Sequence, residues 1–266
     1  MARRTVRPVG PGEVRRMFDL TGRTILVTGG SRGIGRAIAL ELGAAGARVG
    51  VHYRERRESA EEVVARLHDR GVEAKAFAAD VTEPDQVVRL LDAVGAWSGR
   101  LEGLVTSAGI YRGPTVDEVD AEEWQKVIRT DLEGSFWTVR SALPWLRKGD
   151  RPAVVTLSSI LGAHAAIGGA PYQMAKAAIE QMTRALSLEL APEIRVNSVA
   201  PGFVRTDINR AGHEDPVFSA KVARATPLGR WGEPEDITPA VRFLLSREAD
   251  WVTGLVLGID GGLPLR

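Results

Sequence analysis

Tyr172 and Lys176 stand four residues apart in a stretch with helical periodicity, which places both on one helix face. An ammonium beside a phenol favours the phenolate. The pair therefore predicts a tyrosine titrating below its reference value of about 10, able to exchange a proton near neutral pH. The same spacing also describes a core tyrosine next to a solvated lysine. Ser159, thirteen residues upstream at the end of an apolar run, adds a hydroxyl able to hold an oxygen beside the phenol.

A second constellation is suited to an anion. The stretch Thr28-Gly29-Gly30-Ser31-Arg32-Gly33-Ile34-Gly35 follows the apolar run Ile25-Leu26-Val27 and opens a helix-like segment. Glycines admit positive φ and let backbone approach a ligand, while the free N–H groups and positive dipole end of a helix attract phosphate. Such a turn on its own is a weak signal, so its meaning depends on what surrounds it.

Stepping along the chain, strand-like and helix-like runs alternate. Strands are expected at 24–27, 48–53, 73–79, 101–107, 153–159, 194–199 and 255–259, with helices at 33–45, 58–70, 84–97, 171–190 and 234–245. One long helical region spans about 121–147, with Trp124, Val127, Ile128, Leu132, Phe136, Val139 and Leu143 as its apolar stripe and Pro144 near its end. Residues 207–230, with Gly212, Pro216 and Pro227, read as a loop-rich lid whose Ile208, Val217, Phe218 and Val222 suit a moderately apolar substrate.

This alternation predicts an α/β fold: a single Rossmann-type doubly wound domain with a parallel sheet of about seven strands flanked by helices. Ligands of such sheets lie beyond the carboxyl ends of the strands. The glycine turn, Tyr53-Arg54, Asp80-Val81, Ser107-Ala108-Gly109, Ser158-Ser159 and Pro201-Gly202 all fall at those ends, which identifies a dinucleotide site.

Composition narrows the classes. Thirty-five basic and 34 acidic residues give a net charge of +1, so no global field favours nucleic acid or an acidic membrane surface. Cysteine is absent, which excludes disulfides, thiol catalysis and Cys-ligated zinc, and fits a reducing cytoplasm. No apolar run approaches the length of a bilayer span. The four histidines and the carboxylates have no metal-ligand spacing, and the histidines are expected to be ordinary structural or surface residues; His164, between Ser159 and Tyr172, is the one whose position offers a substrate-lining alternative to a spectator role. Residues 1–17, rich in arginine, read as a disordered basic tail, and 18–266 as the Rossmann-type domain.

Taken together, Thr28 to Gly35, Ser107-Ala108-Gly109, Ser159, Tyr172 with Lys176, Asn197, Pro201-Gly202 and Asp260-Gly261-Gly262 occur in the order of the short-chain dehydrogenase/reductase family. The chain resembles its 250-residue type over roughly 18–264, most like the 3-oxoacyl-thioester (acyl-carrier-protein) reductases. The resemblance implies hydride transfer between a nicotinamide cofactor and a carbonyl or alcohol. It implies that Tyr172 moves the proton, that Ser159 positions the oxygen, and that Lys176 binds the nicotinamide ribose and lowers the tyrosine pKa. It places Thr206, after Val204, at the carboxamide. It also implies a homotetramer built by pairing the helices at 121–147 and 171–190, and a small-molecule substrate.

Positive charge selects the cofactor. An acid at the second strand end serves NAD, whereas the 2′-phosphate of NADP needs cations. Tyr53 and Arg54 stand there, with Arg32 in the turn and Arg56 or Arg57 in reserve, so NADP(H) is expected. Two residues depart from the family pattern: Ser107 and Asp131 replace asparagines. Asp131 is expected to hold a relay water while adding negative charge near Tyr172, and so to shift the pH optimum. Low activity, or a cofactor-binding protein without catalysis, are its alternatives. The basic residue frequent near the turn at Pro192-Glu193 in carrier-protein reductases is absent, which leaves a sugar or secondary-alcohol dehydrogenase as the other enzymatic reading.

Overall fold

A computed structural model describes residues 17–263. The tail expected at 1–17 lies, apart from Met17, outside the described residues. The chain forms β1 (Thr24–Thr28), α1 (Gly33–Ala44), β2 (Arg48–Tyr53), α2 (Arg57–His68), β3 (Ala74–Ala78), α3 (Pro84–Ser98) and β4 (Gly103–Thr106). It continues through α4 (Ala121–Val127), α5 (Gly134–Leu146), β5 (Ala153–Leu157), α6 (Ala170–Glu189) and β6 (Arg195–Pro201). The last elements are α7 (Arg210–Glu214), α8 (Pro216–Ala225), α9 (Pro234–Leu245) and β7 (Val256–Ile259).

All seven strands join one parallel sheet in the order β3-β2-β1-β4-β5-β6-β7. The order reverses between β1 and β4, and a crevice opens at that point beyond the strand ends. Alternation along each strand feeds two cores. Ile25 and Val27 pack with Ile38, Leu42, Val63, Val241 and Leu244 of α1, α2 and α9 on one face. Leu26 and Val154 pack with Val87, Leu91, Val94, Val139 and Leu146 of α3 and α5 on the other.

Two expectations change. The region 121–147 is not one helix: Ile128–Glu133 form a π-helical turn between α4 and α5. Such turns widen a helix by one residue and are found at functional sites; Asp131 sits in this one, fully buried. Pro144 falls inside the last turn of α5. Residues 207–230, expected to be loop-rich, carry α7 and α8. Pro216 occupies the first turn of α8, where its missing N–H costs nothing, and Asp215 caps that turn through the Val217 and Phe218 N–H groups.

Candidate active site

The switch point is closed by Thr28. Its Oγ1 accepts hydrogen bonds from Ser107 N (3.1 Å) and Ala108 N (3.2 Å), joining the ends of β1 and β4 by backbone groups. The Ser107 side chain is therefore not required for that join. Gly29 has φ +65°, and a Cβ there would lie 2.9 Å from Ala108 Cα, so only glycine lets the two turns meet. Beyond them α1 begins at Gly33 with no side-chain cap, leaving its first-turn N–H groups directed at the crevice.

His52, one of the four histidines without metal-ligand spacing, fixes this turn. Its buried ring accepts the Gly29 N–H at Nδ1 (3.1 Å), so Nε2 carries the proton and donates to the Ala79 carbonyl (3.0 Å). Gly30 N also donates to the His52 carbonyl (2.9 Å). Burial holds the imidazole neutral, down to a pKa of about 4. The unfolded chain takes up its proton near 6.5. The stabilising contribution of His52 is thus complete above pH 6.5 and is lost as the pH falls toward 4. Denaturant titrations across that window are expected to show a decline of up to about 3 kcal/mol attributable to this group. A His52→Gln variant with the same pH slope as the parent would remove the assignment.

At the second strand end three guanidinium groups crowd together. Arg32 is held below its ordinary value by burial and by the neighbouring positive charges of Arg56 and Arg54, with Asp207 opposing. Arg54 pairs with Glu55 (2.7 Å) and stands 3.9 Å from Asp80; Arg56 pairs with Asp207 (3.1 Å). Among the described residues Arg32 has no acidic partner within ion-pair distance. Arg57 instead points along α2 to Glu61.

On the other side, α6 carries Tyr172 and buried Lys176. The Lys176 ammonium lies 5.3 Å from the phenol ring centroid and donates to the Leu157 carbonyl (3.2 Å). It also contacts Asp131 Oδ1 at 2.9 Å, while Asp131 Oδ2 accepts the Ile110 N–H (3.0 Å). A Cβ on Gly109 would stand 2.7 Å from Asp131 Oδ1, so this glycine makes room for the pair. Ser159 caps the short turn after β5 through the Leu161 N–H (3.2 Å). Behind it, the single O–H of buried Ser158 is shared between Glu180 Oε1 (3.0 Å) and the Lys176 carbonyl (3.1 Å), tying that turn to α6.

These contacts correct one expectation. Burial pushes the Tyr172 phenol up; Lys176 opposes this, Asp131 adds to it, and a hydrogen bond from Ser159 opposes it again, so the net direction is upward. Burial also pushes the Asp131 carboxyl up against the pull of Lys176. For Lys176 burial alone acts downward, but the negative charge of Asp131 and Tyr172 outweighs it and the net direction is up.

One cavity of about 810 Å³ brings the predicted residues together. It is lined by the glycine turn, by Tyr53-Arg54, Asp80-Val81, Ser107-Ala108-Gly109 and Asp131, and by Ser159, Tyr172, Lys176, Pro201-Gly202, Val204 and Thr206. His164 is exposed and stays outside it. Tyr111, missed in the sequence, enters with its ring edge-on to Tyr172, at 5.1 Å and 89°. Among the described residues no group of three acidic, cysteine or histidine side chains is placed to hold a metal ion. No helix among them is long and apolar enough to cross a membrane.

Comparison with known proteins identifies the family. A family model described as enoyl-(acyl carrier protein) reductase matches residues 29–264. The chain is 38% identical over 252 residues to a short-chain type dehydrogenase/reductase of Picea abies, covering 91% of this chain and 93% of that one. It is 37% identical over 242 residues to a 3-oxoacyl-[acyl-carrier-protein] reductase of Staphylococcus aureus, covering 91% and 98%. A gluconate 5-dehydrogenase from Burkholderia cenocepacia, solved in complex with NADP and tartrate, superposes with a TM-score of 0.89 at 33% identity over 94% of this chain and 98% of that one. The chain belongs to the short-chain dehydrogenase/reductase family of oxidoreductases.

Proposed function

We propose that this chain is an NADPH-dependent reductase that converts a carbonyl, in a 3-oxoacyl thioester or a comparable ketone, to a hydroxyl. The observation that carries the reading is one cavity with three crowded guanidinium groups at one side and Ser159, Tyr172 and Lys176 at the other. The uncapped start of α1 and the glycine turn fit a pyrophosphate, with Ser31, Gly33, Ile34 and Gly35 holding it. Arg32 and Arg54 meet the 2′-phosphate, Asp80 and Val81 border the adenine, and Val204 and Thr206 meet the carboxamide.

A bound nicotinamide supplies the hydride. Tyr172 gives its phenolic proton to the oxygen of the reduced carbonyl, and the Ser159 hydroxyl holds that oxygen in place. Lys176 holds the nicotinamide ribose and favours proton release from Tyr172; Asp131 fixes Lys176 and positions a relay water.

NADPH oxidation with an acetoacetyl thioester, and with a panel of other ketones and both cofactors, tests the reading. Thioester turnover supports it. Turnover only with other carbonyls such as keto sugars, or only in the reverse assay in which a sugar or secondary alcohol reduces NADP+ or NAD+, favours the dehydrogenase alternative, and tight NADPH binding with no turnover favours the non-catalytic one, which the charge of Asp131 against Lys176 motivates. Arg54→Ala is expected to lower kcat/KM for NADPH by about tenfold or more while sparing NADH, the scale of one lost charge-assisted bond. An unchanged cofactor ratio counts against the phosphate assignment.

The protein acts, in this reading, as a cytoplasmic homotetramer on a small molecule. Leu132, Phe136, Trp137 and Met182 support the assembly: they line a shallow recess between the α4–α5 region and α6, the helices that would pair between subunits. Light scattering checks the mass.

A further inference from the structure

Four aromatic rings line the cavity outside the groups assigned above, and they come from four separate segments. Tyr111 follows β4 and stands edge-on to the Tyr172 ring, one ring's breadth from the phenol that moves the proton. Phe203 follows β6, Phe218 lies on α8, and Trp231 precedes α9. The last three pack on one another at centroid distances of 5.4 to 6.2 Å and interplanar angles of 66° to 78°. Trp231 is the buried anchor, its Nε1 donating to the Ser219 carbonyl (3.2 Å); Phe203 and Phe218 remain partly open.

We propose that the substrate carries an aromatic ring, held between Tyr111 and the Phe203–Phe218–Trp231 cluster while its carbonyl meets Ser159 and Tyr172. Tilted rings offer both edges and faces, and an incoming ring satisfies their quadrupoles in a way an alkyl chain does not. The aromatic cluster also fixes α8 against the end of β6, so the wall is in place before a ligand arrives. Val217 is 75% exposed and stays outside the cavity, whereas Ile208 and Val222 of the same segment line it beside the rings.

The inference rests on the carbonyl-reductase reading, and one pair of methyl ketones tests the two separately. 4-Phenyl-2-butanone and 2-decanone have the same carbon count and the same reacting end, and the second is the more apolar. NADPH oxidation is expected to give the ring ketone a kcat/KM about tenfold higher. Phe218→Leu and Tyr111→Leu should each reduce that ratio by roughly three- to tenfold, through KM. Equal or reversed kcat/KM values, or a ratio that neither substitution moves, overturn the ring assignment while any NADPH turnover leaves the reductase reading standing. If no ketone or thioester is turned over, the reductase reading falls. The ring assignment is then read from calorimetric binding to the protein–NADPH complex. Tighter binding of 4-phenyl-2-butanol than of 2-decanol, weakened by Phe218→Leu, supports it, and the opposite order overturns it.

Discussion

Lys176→Met is expected to cost the fold about 3–5 kcal/mol, the scale for removing one partner of a buried ion pair. Asp131 is fully buried in the π turn, and its Oδ1 faces the Lys176 ammonium at 2.9 Å. Methionine leaves that carboxylate with one backbone N–H, from Ile110, and no opposing charge. It must then be protonated or drive local opening. Adding Asp131→Asn to Lys176→Met should recover most of the loss, because a neutral amide beside an apolar chain no longer carries an uncompensated charge. Urea unfolding of the parent, the single variant and the double variant reads this directly. A double variant no more stable than Lys176→Met would place the cost in lost packing rather than in charge.

Tyr172→Phe should lower kcat for carbonyl reduction by about 10²- to 10⁴-fold, the range for removing a positioned proton donor. NADPH affinity, measured by fluorescence titration, is expected to change little. A residual rate near that of the parent would assign the proton to another group. The pH profile identifies the donor further. Reduction needs the protonated phenol, and burial and Asp131 raise its pKa, so the reductive rate should hold through neutral pH and fall only in alkali. Alcohol oxidation needs the phenolate and should rise with pH over the same alkaline range. Asp131→Asn removes an anion that pushes the phenol up, so both limbs should move to lower pH, by on the order of one unit. Profiles that superpose with the parent would show that Asp131 acts through position alone.

Much of the fold is legible in the sequence. Period-two and period-3.6 runs locate the strands and most helices within a few residues, and the glycines of 28–35 can be read because backbone conformation follows from residue type. Burial is harder to read. The Tyr172–Lys176 spacing reveals the charge partner but not the desolvation that reverses the direction of the phenol's shift. His52 looks like any strand residue; its bonds to Gly29 and Ala79 join points 23 and 27 residues away. Proline misled at 216, where it starts a helix instead of breaking one, because its meaning depends on the Asp215 cap beside it.

The π turn at Ile128–Glu133 also sets a phase. An ideal helix advances about 100° per residue, so one extra residue in a turn rotates everything after it by about that angle relative to what went before. The apolar stripe from Trp124 to Leu143 is not one face: Val127 in α4 and Val139 in α5 are buried, while Trp124 and Phe136, three residues before each, lie at the surface. α4 and α5 are in effect two differently indexed cylinders. A redesign of this region that counts residues as though along one of them will turn one segment by about 100° from its proper face.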